Sequence, residues 1–332
     1  MLDACEWRYR RVLGALGLVL VLFLLLLNVS GLLIAAVQTV LSLMPLSPVQ
    51  AEVIYQLAYA VFYMLPFLLA SLFARPIFRK RALPYRPMLA PARLSPLLPL
   101  ILFAGMGLIL GAAYVNSFLT QLIGYSMEGL VEEPSVSEPY QLVLQLITVC
   151  IIPGFFEELL FRGVIMTNCM PFGRIPAILI SAGSFALMHQ NIGQFFYTFL
   201  AGLLLGLVYD LTGSIWNCVL LHVCNNLFSV LESGLLETLS ERAGAMACTA
   251  LELMLLLLGA LSVAVLLRRG FGKGARAAAR EGFFERSLPA SDSYATCPVA
   301  GNRMLRLSVT PSTVIYTVFC LIEAGALLLL AL

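Results

Sequence analysis

Nine stretches of the 332-residue chain are almost continuously apolar: near 12–37, 53–74, 97–124, 141–166, 175–191, 195–210, 214–235, 246–267 and 312–331. A helix needs roughly 17–25 apolar residues to cross a bilayer. The fifth to seventh stretches are the shortest and most polar, so their ends are the least defined. The pattern predicts an all-α protein, a polytopic transmembrane helical bundle of about eight to nine spans, folded as a single membrane domain over 1–332. The first stretch follows Arg8, Arg10 and Arg11. It is longer than a signal-peptide core of about 7–15 residues and no clear small-residue cleavage site follows it, so it reads as a retained signal anchor.

Basic residues set the orientation. They cluster at the amino terminus, in 75–95 and in 268–310, while 126–140 carries Glu128, Glu132, Glu133 and Glu138 and no Lys or Arg. With nine spans and a cytoplasmic amino terminus, all of the 20 basic residues except Arg242 fall on the cytoplasmic side. The expected location is the cell membrane, multi-pass, with 75–95 and 268–310 as basic cytoplasmic loops. The 75–99 stretch is rich in proline and reads as irregular; 270–310 is rich in Gly, Ala and Arg and reads as a linker.

Composition agrees. Hydrophobic residues make up 61% and charged residues 11% of the chain, against about 25% charged in soluble domains. Positive-inside placement accounts for the basic runs, so nucleic acid is not an expected partner. Membrane lipids are. The eight cysteines contain no C-x-x-C pair, which argues against thiolate metal binding, and most lie in spans or on the expected cytoplasmic side, which argues against a disulfide framework. Gly107-x-x-x-Gly111 and Gly202-x-x-x-Gly206 read as close helix packing within the molecule.

Against this apolar background a few ionisable residues stand out. Such groups at membrane depth are costly and by default mark a functional site. The chain has only two histidines, His189 and His222, both inside apolar segments. Upstream lies Glu157-Glu158 with Arg162 one turn later. Glu158 and Arg162 are spaced i,i+4 with the acid first, the favourable order. Glu157 points about 100° away around the helix. It has no local partner, which makes it the freer carboxylate and the better candidate base. Pro153 and Gly154 predict a kink just before the pair. Phe185 and His189 share a helix face, as do His222 and Asn226; Asn225 falls to the flank, to cap or pack.

Taken together, Glu157-Glu158-x-x-x-Arg162, Phe185-x-x-x-His189 and His222-x-x-x-Asn226 resemble the three motifs of the CPBP family of intramembrane proteases. That family includes the type II CAAX prenyl endopeptidases and bacterial proteins linked to bacteriocin processing and self-immunity. Order, internal spacing and placement on successive segments agree. The resemblance marks 140–235 as a catalytic core and implies peptide-bond hydrolysis on a membrane-associated peptide or protein, lipidated or not. By that analogy Glu157 and His189 activate a water, His222 and Asn226 donate to the oxyanion, and Glu158 and Arg162 support the cavity. No cofactor is then needed. The competing chemistry is a zinc site with Glu157, His189 and His222 as ligands. The competing function is a non-catalytic scaffold or immunity-type protein that keeps the polar network for structure. A proton-coupled transporter is disfavoured by the lack of an internal repeat.

One geometric tension stands in the sequence. Counting from the run ends, Glu157 and His222 lie in the cytoplasmic half of the bilayer and His189 past its middle.

Overall fold

The computed structural model describes residues 3–83, 85, 94–122, 136, 138–268 and 301–331. Among them are ten helices: α1 (Ala4–Ser42), α2 (Pro48–Lys80), α3 (Leu98–Leu122), α4 (Pro139–Phe172), α5 (Arg174–Met188), α6 (Ile192–Thr212), α7 (Ile215–Thr238), α8 (Glu241–Arg268), α9 (Gly301–Ser308) and α10 (Pro311–Ala331). All nine apolar stretches are helices. Seven of them are long and apolar enough to span a membrane, and α5 and the described part of α10 are shorter. The protein is a polytopic helical membrane protein.

The bundle forms because most helices are apolar on nearly every face, so each offers a face to its neighbours as well as to lipid. α1 packs on α2 and α10, α3 on α8 and α6, and α5 on α6. Inside lies a core with Phe23, Phe67, Phe78, Phe161, Ile165 and Leu221 at its centre. α1 starts at a capping box, in which Asp3 accepts from the Glu6 amide and Glu6 accepts from the Asp3 amide.

Charge separates the two ends of the bundle. At one end Tyr140 and Gln141 donate to Glu52 at 2.5 and 2.8 Å, and the Val136 amide donates to Glu237 at 2.9 Å. At the other end Arg303 pairs with Glu6 at 2.6 Å, Arg174 pairs with Asp210 at 2.5 Å, and Arg11 donates to the Arg81 carbonyl.

Three expectations change. The 75–99 stretch is not irregular throughout: α2 runs on through Pro76 to Lys80, held by Ala74 and Phe78, which are fully buried. The 270–310 stretch contains α9, docked on α1 through Tyr9 and Ser308 at 2.8 Å; 84, 86–93, 123–135, 137 and 269–300 lie outside the described residues. The cysteines are not all unpaired, since Cys5 is disulfide-bonded while Cys150, Cys169, Cys218 and Cys320 are free. Gly202 and Gly206 do pack within the molecule, as does Gly107, against Gly259, whereas a Cβ on Gly111 would meet nothing within 4 Å. A Cβ on Gly202 would come within 3.0 Å of the Ala182 Cα, and one on Gly206 within 3.1 Å of Ile178.

Candidate active site

The glutamates ride on an irregular helix. α4 winds as π-helix over Leu146–Ile151 and again over Leu159–Met166, with a short α-helical segment, Ile152–Glu158, between them. π-turns concentrate at functional sites. The expected kink takes this form. Pro153 sits in the first turn of the central segment, where a missing N–H is tolerated, but it has no proton to offer the Val149 carbonyl. Asn226 fills that gap: its Nδ2 donates to the Val149 oxygen at 2.8 Å from α7. Gly154 permits the approach. A Cβ there would lie 2.6 Å from Val223 Cγ2 and 3.3 Å from the Val223 amide nitrogen.

This close contact of α4 and α7 brings the motifs together. Glu158 and Arg162 are fully buried and pair at 2.9 Å. The second guanidinium nitrogen donates to the Gly202 carbonyl at 3.0 Å, and the cation lies 4.8 Å from the Phe185 ring centroid. His222 Nδ1–H donates to the same Glu158 Oε1 at 2.9 Å. Glu158 is thus held by two nitrogen donors and has a structural place.

Glu157 differs. Its Oε1 accepts from Tyr63 of α2 at 2.5 Å. Its Oε2, like that of Glu158, is buried with no hydrogen-bond partner among the described residues, but it faces His222 Nε2 at 3.9 Å, and Glu157 rather than Glu158 lines the cavity. At that distance the two atoms lie beyond direct hydrogen-bond range. His189 caps α5, and its Nδ1 lies 2.9 Å from the Phe185 carbonyl. A carbonyl only accepts, so Nδ1 carries the proton and Nε2 is left with its lone pair.

Glu157, His189, His222 and Asn226 line one cavity of about 700 Å³, together with Gln145 and Tyr59. The depth tension resolves here. α4 does not end near 166 but continues to Phe172, because Thr167 and Asn168 are buried and bonded inside the bundle, Thr167 to the Arg162 carbonyl at 2.8 Å and Asn168 to the Val164 carbonyl at 2.8 Å. Glu157 therefore stands as many residues before the Phe172–Arg174 turn as His189 stands after it, roughly 20 Å at about 1.5 Å per residue.

The zinc reading can be tested on the donors. Among the described residues no three His, Cys, Asp or Glu side chains are arranged to hold a metal ion. Two ligands of a tetrahedral zinc at about 2.0–2.1 Å sit roughly 3.3 Å apart, whereas Glu157 Oε2 and His222 Nε2 are 3.9 Å apart.

Sequence reasoning missed two contributors. Tyr63 belongs to a four-residue aromatic period, Tyr55, Tyr59, Tyr63 and Phe67, that was visible in the chain. Tyr197 pairs with Asn225: the amide donates to its hydroxyl at 2.9 Å. Asn225 also donates to Asn226 Oδ1 at 3.3 Å, which turns the Asn226 amide towards Val149.

Residues 139–228 match the family model described as Type II CAAX prenyl endopeptidase Rce1-like. No curated protein and no solved structure matches the chain. The matched segment begins at the first residue of α4 and ends just beyond His222 and Asn226, so it contains all three motifs and the contacts between them. Residues 139–228 are thus similar to the Rce1-like type II CAAX prenyl endopeptidases, a family of intramembrane endopeptidases, and sit within a polytopic helical membrane protein.

Proposed function

We propose that the protein hydrolyses a peptide bond of a membrane-associated peptide or protein with a glutamate-activated water and no metal. The observation that carries this reading is the state of Glu157. One oxygen is held and the other is buried, unbonded and turned towards the His222 imidazole 3.9 Å away, on the wall of the cavity that His189 and Asn226 also line. His189 complements it, with Nδ1–H engaged and Nε2 free to share the proton taken from water. His222 is fixed by Glu158 through Nδ1, and with a proton on Nε2 it donates to the developing oxyanion. Asn226 adds its second amide proton, the first being engaged by Val149. Glu158 and Arg162 hold this frame. The substrate is a peptide or protein, lipidated or not, and the protein resides in the cell membrane with its amino terminus and the basic end of the bundle in the cytoplasm.

The test is cleavage of a quenched peptide library by purified protein. Glu157→Gln and His189→Ala should each cut turnover to a trace residual rate with the fold intact. His222→Ala and Asn226→Ala should leave slow turnover, lower by roughly 10²–10³ as for loss of an oxyanion donor. Chelators should leave the rate unchanged. Stoichiometric zinc that is lost together with activity on chelation, and restores it on return, would overturn the metal-free mechanism. Complementation of a phenotype by Glu157→Ala would favour the scaffold reading, and unimpaired turnover in that variant would overturn Glu157 as the base.

A further inference from the structure

We infer that Tyr63 is a positioning residue for Glu157, acting from a helix outside the family-matched segment. The inference rests on Glu157 being the base. A carboxylate that activates water must present a defined oxygen to it, and a free Glu side chain does not. Its neighbour Glu158 is held by a guanidinium and an imidazole. Glu157 is held by a phenol, at 2.5 Å. A neutral donor gives a short, strong hydrogen bond to a carboxylate and orients it without cancelling its charge. The contact engages Oε1 and leaves Oε2 unbonded towards His222. Glu158 also has one held and one unbonded oxygen, but it is Glu157 that lines the cavity and turns its unbonded oxygen towards His222 Nε2, the position a base needs.

The phenol is itself fixed. The Tyr63 ring stacks on Tyr59 with centroids 5.7 Å apart and leans on Phe67 at 5.3 Å. Phe67 is buried and packs on Phe23 at 4.7 Å. α2 therefore sets the hydroxyl position through rigid aromatic contacts, and α4 supplies the carboxylate. The alternative role for the bond is to tie α2 to α4 and nothing more. The two roles differ in kinetics. A positioning residue changes the chemical step, and its effect needs the carboxylate; a tie affects folding and is indifferent to turnover.

The experiment compares wild type, Tyr63→Phe, Glu157→Gln and the double variant on one cleavable peptide, with KM, kcat and the unfolding midpoint measured for each. Tyr63→Phe should lower kcat by up to about 10²-fold, the scale of a misplacement of about 1 Å, with KM and midpoint near wild type. In the Glu157→Gln background it should lower the residual rate no further. An unchanged kcat, an equal fold-loss in both backgrounds, or a Tyr63→Phe protein that fails to fold overturns the positioning role. Full activity in Glu157→Gln instead defeats the reading on which it rests, and a wild type that cleaves nothing in the library defeats the proposed function itself.

Discussion

Arg162→Ala removes the most deeply buried cation in the bundle. The side chain is 0% exposed, as is that of its partner Glu158. Three contacts go together: the 2.9 Å ion pair, the 3.0 Å bond to the Gly202 carbonyl and the placement 4.8 Å from the Phe185 ring. The carbonyl loses little, because it belongs to a helix. The main penalty is the carboxylate left behind with His222 as its remaining donor. Breaking a buried pair from one side costs about 3–5 kcal/mol. Against a total stability of about 5–15 kcal/mol, that is enough to lower the yield of folded protein severalfold. The assay is the monodisperse fraction after extraction in mild detergent, with the unfolding midpoint of what remains. Glu158→Gln combined with Arg162→Gln should be milder than either single change. The pair of amides leaves no uncompensated charge and still accepts from His222 Nδ1. Normal yield and midpoint in both single variants, or a double variant worse than either, would refute the clasp.

Two further outcomes are expected. Asn226→Ala leaves the Val149 carbonyl without its donor, a loss of about 1–3 kcal/mol; in a Pro153→Ala background the new backbone N–H competes for that oxygen, so the same change should cost measurably less in a double-mutant cycle of unfolding midpoints, and full additivity would refute the link. Single cysteines placed at Leu46 and Leu239 should label from outside the cell, and cysteines at Arg81 and Gly213 only from the cytoplasm; labelling of Leu46 solely from the cytoplasm would invert the proposed topology.

Much of the fold was legible because lipid is an undemanding solvent: a long apolar run has few alternatives to a helix, so all nine became one. The motif residues were legible for the converse reason, since a buried Glu or His is too costly to be incidental. What stayed hidden were features that need two helices to define them. Thr167 and Asn168 look like an interfacial helix end, yet they bond within the bundle and carry α4 onward to Phe172. Four-residue aromatic spacing is ordinary packing, so nothing singled out Tyr63 until its hydroxyl met Glu157. The lost hydrogen bond at Pro153 could be read from sequence; that Asn226 would supply the replacement could not. The π-turns had no signature in composition at all.

The α4–α5 hairpin has a consequence for how this core can change. Glu157 and His189 line the same cavity because the two arms are matched in length about the Phe172–Arg174 turn. A single residue inserted into one arm would slide its reactive group by about 1.5 Å and swing it by about 100°. Extra chain is tolerated only if it is absorbed locally, and a π-turn is the means by which a helix takes in one residue without rotating the next segment out of register. The two π-stretches on either side of Ile152–Glu158 isolate the carboxylates from length changes at both ends of α4. The bundle can therefore be refitted to a thicker or thinner bilayer while the depth of the reacting groups, counted from the hairpin turn, stays constant.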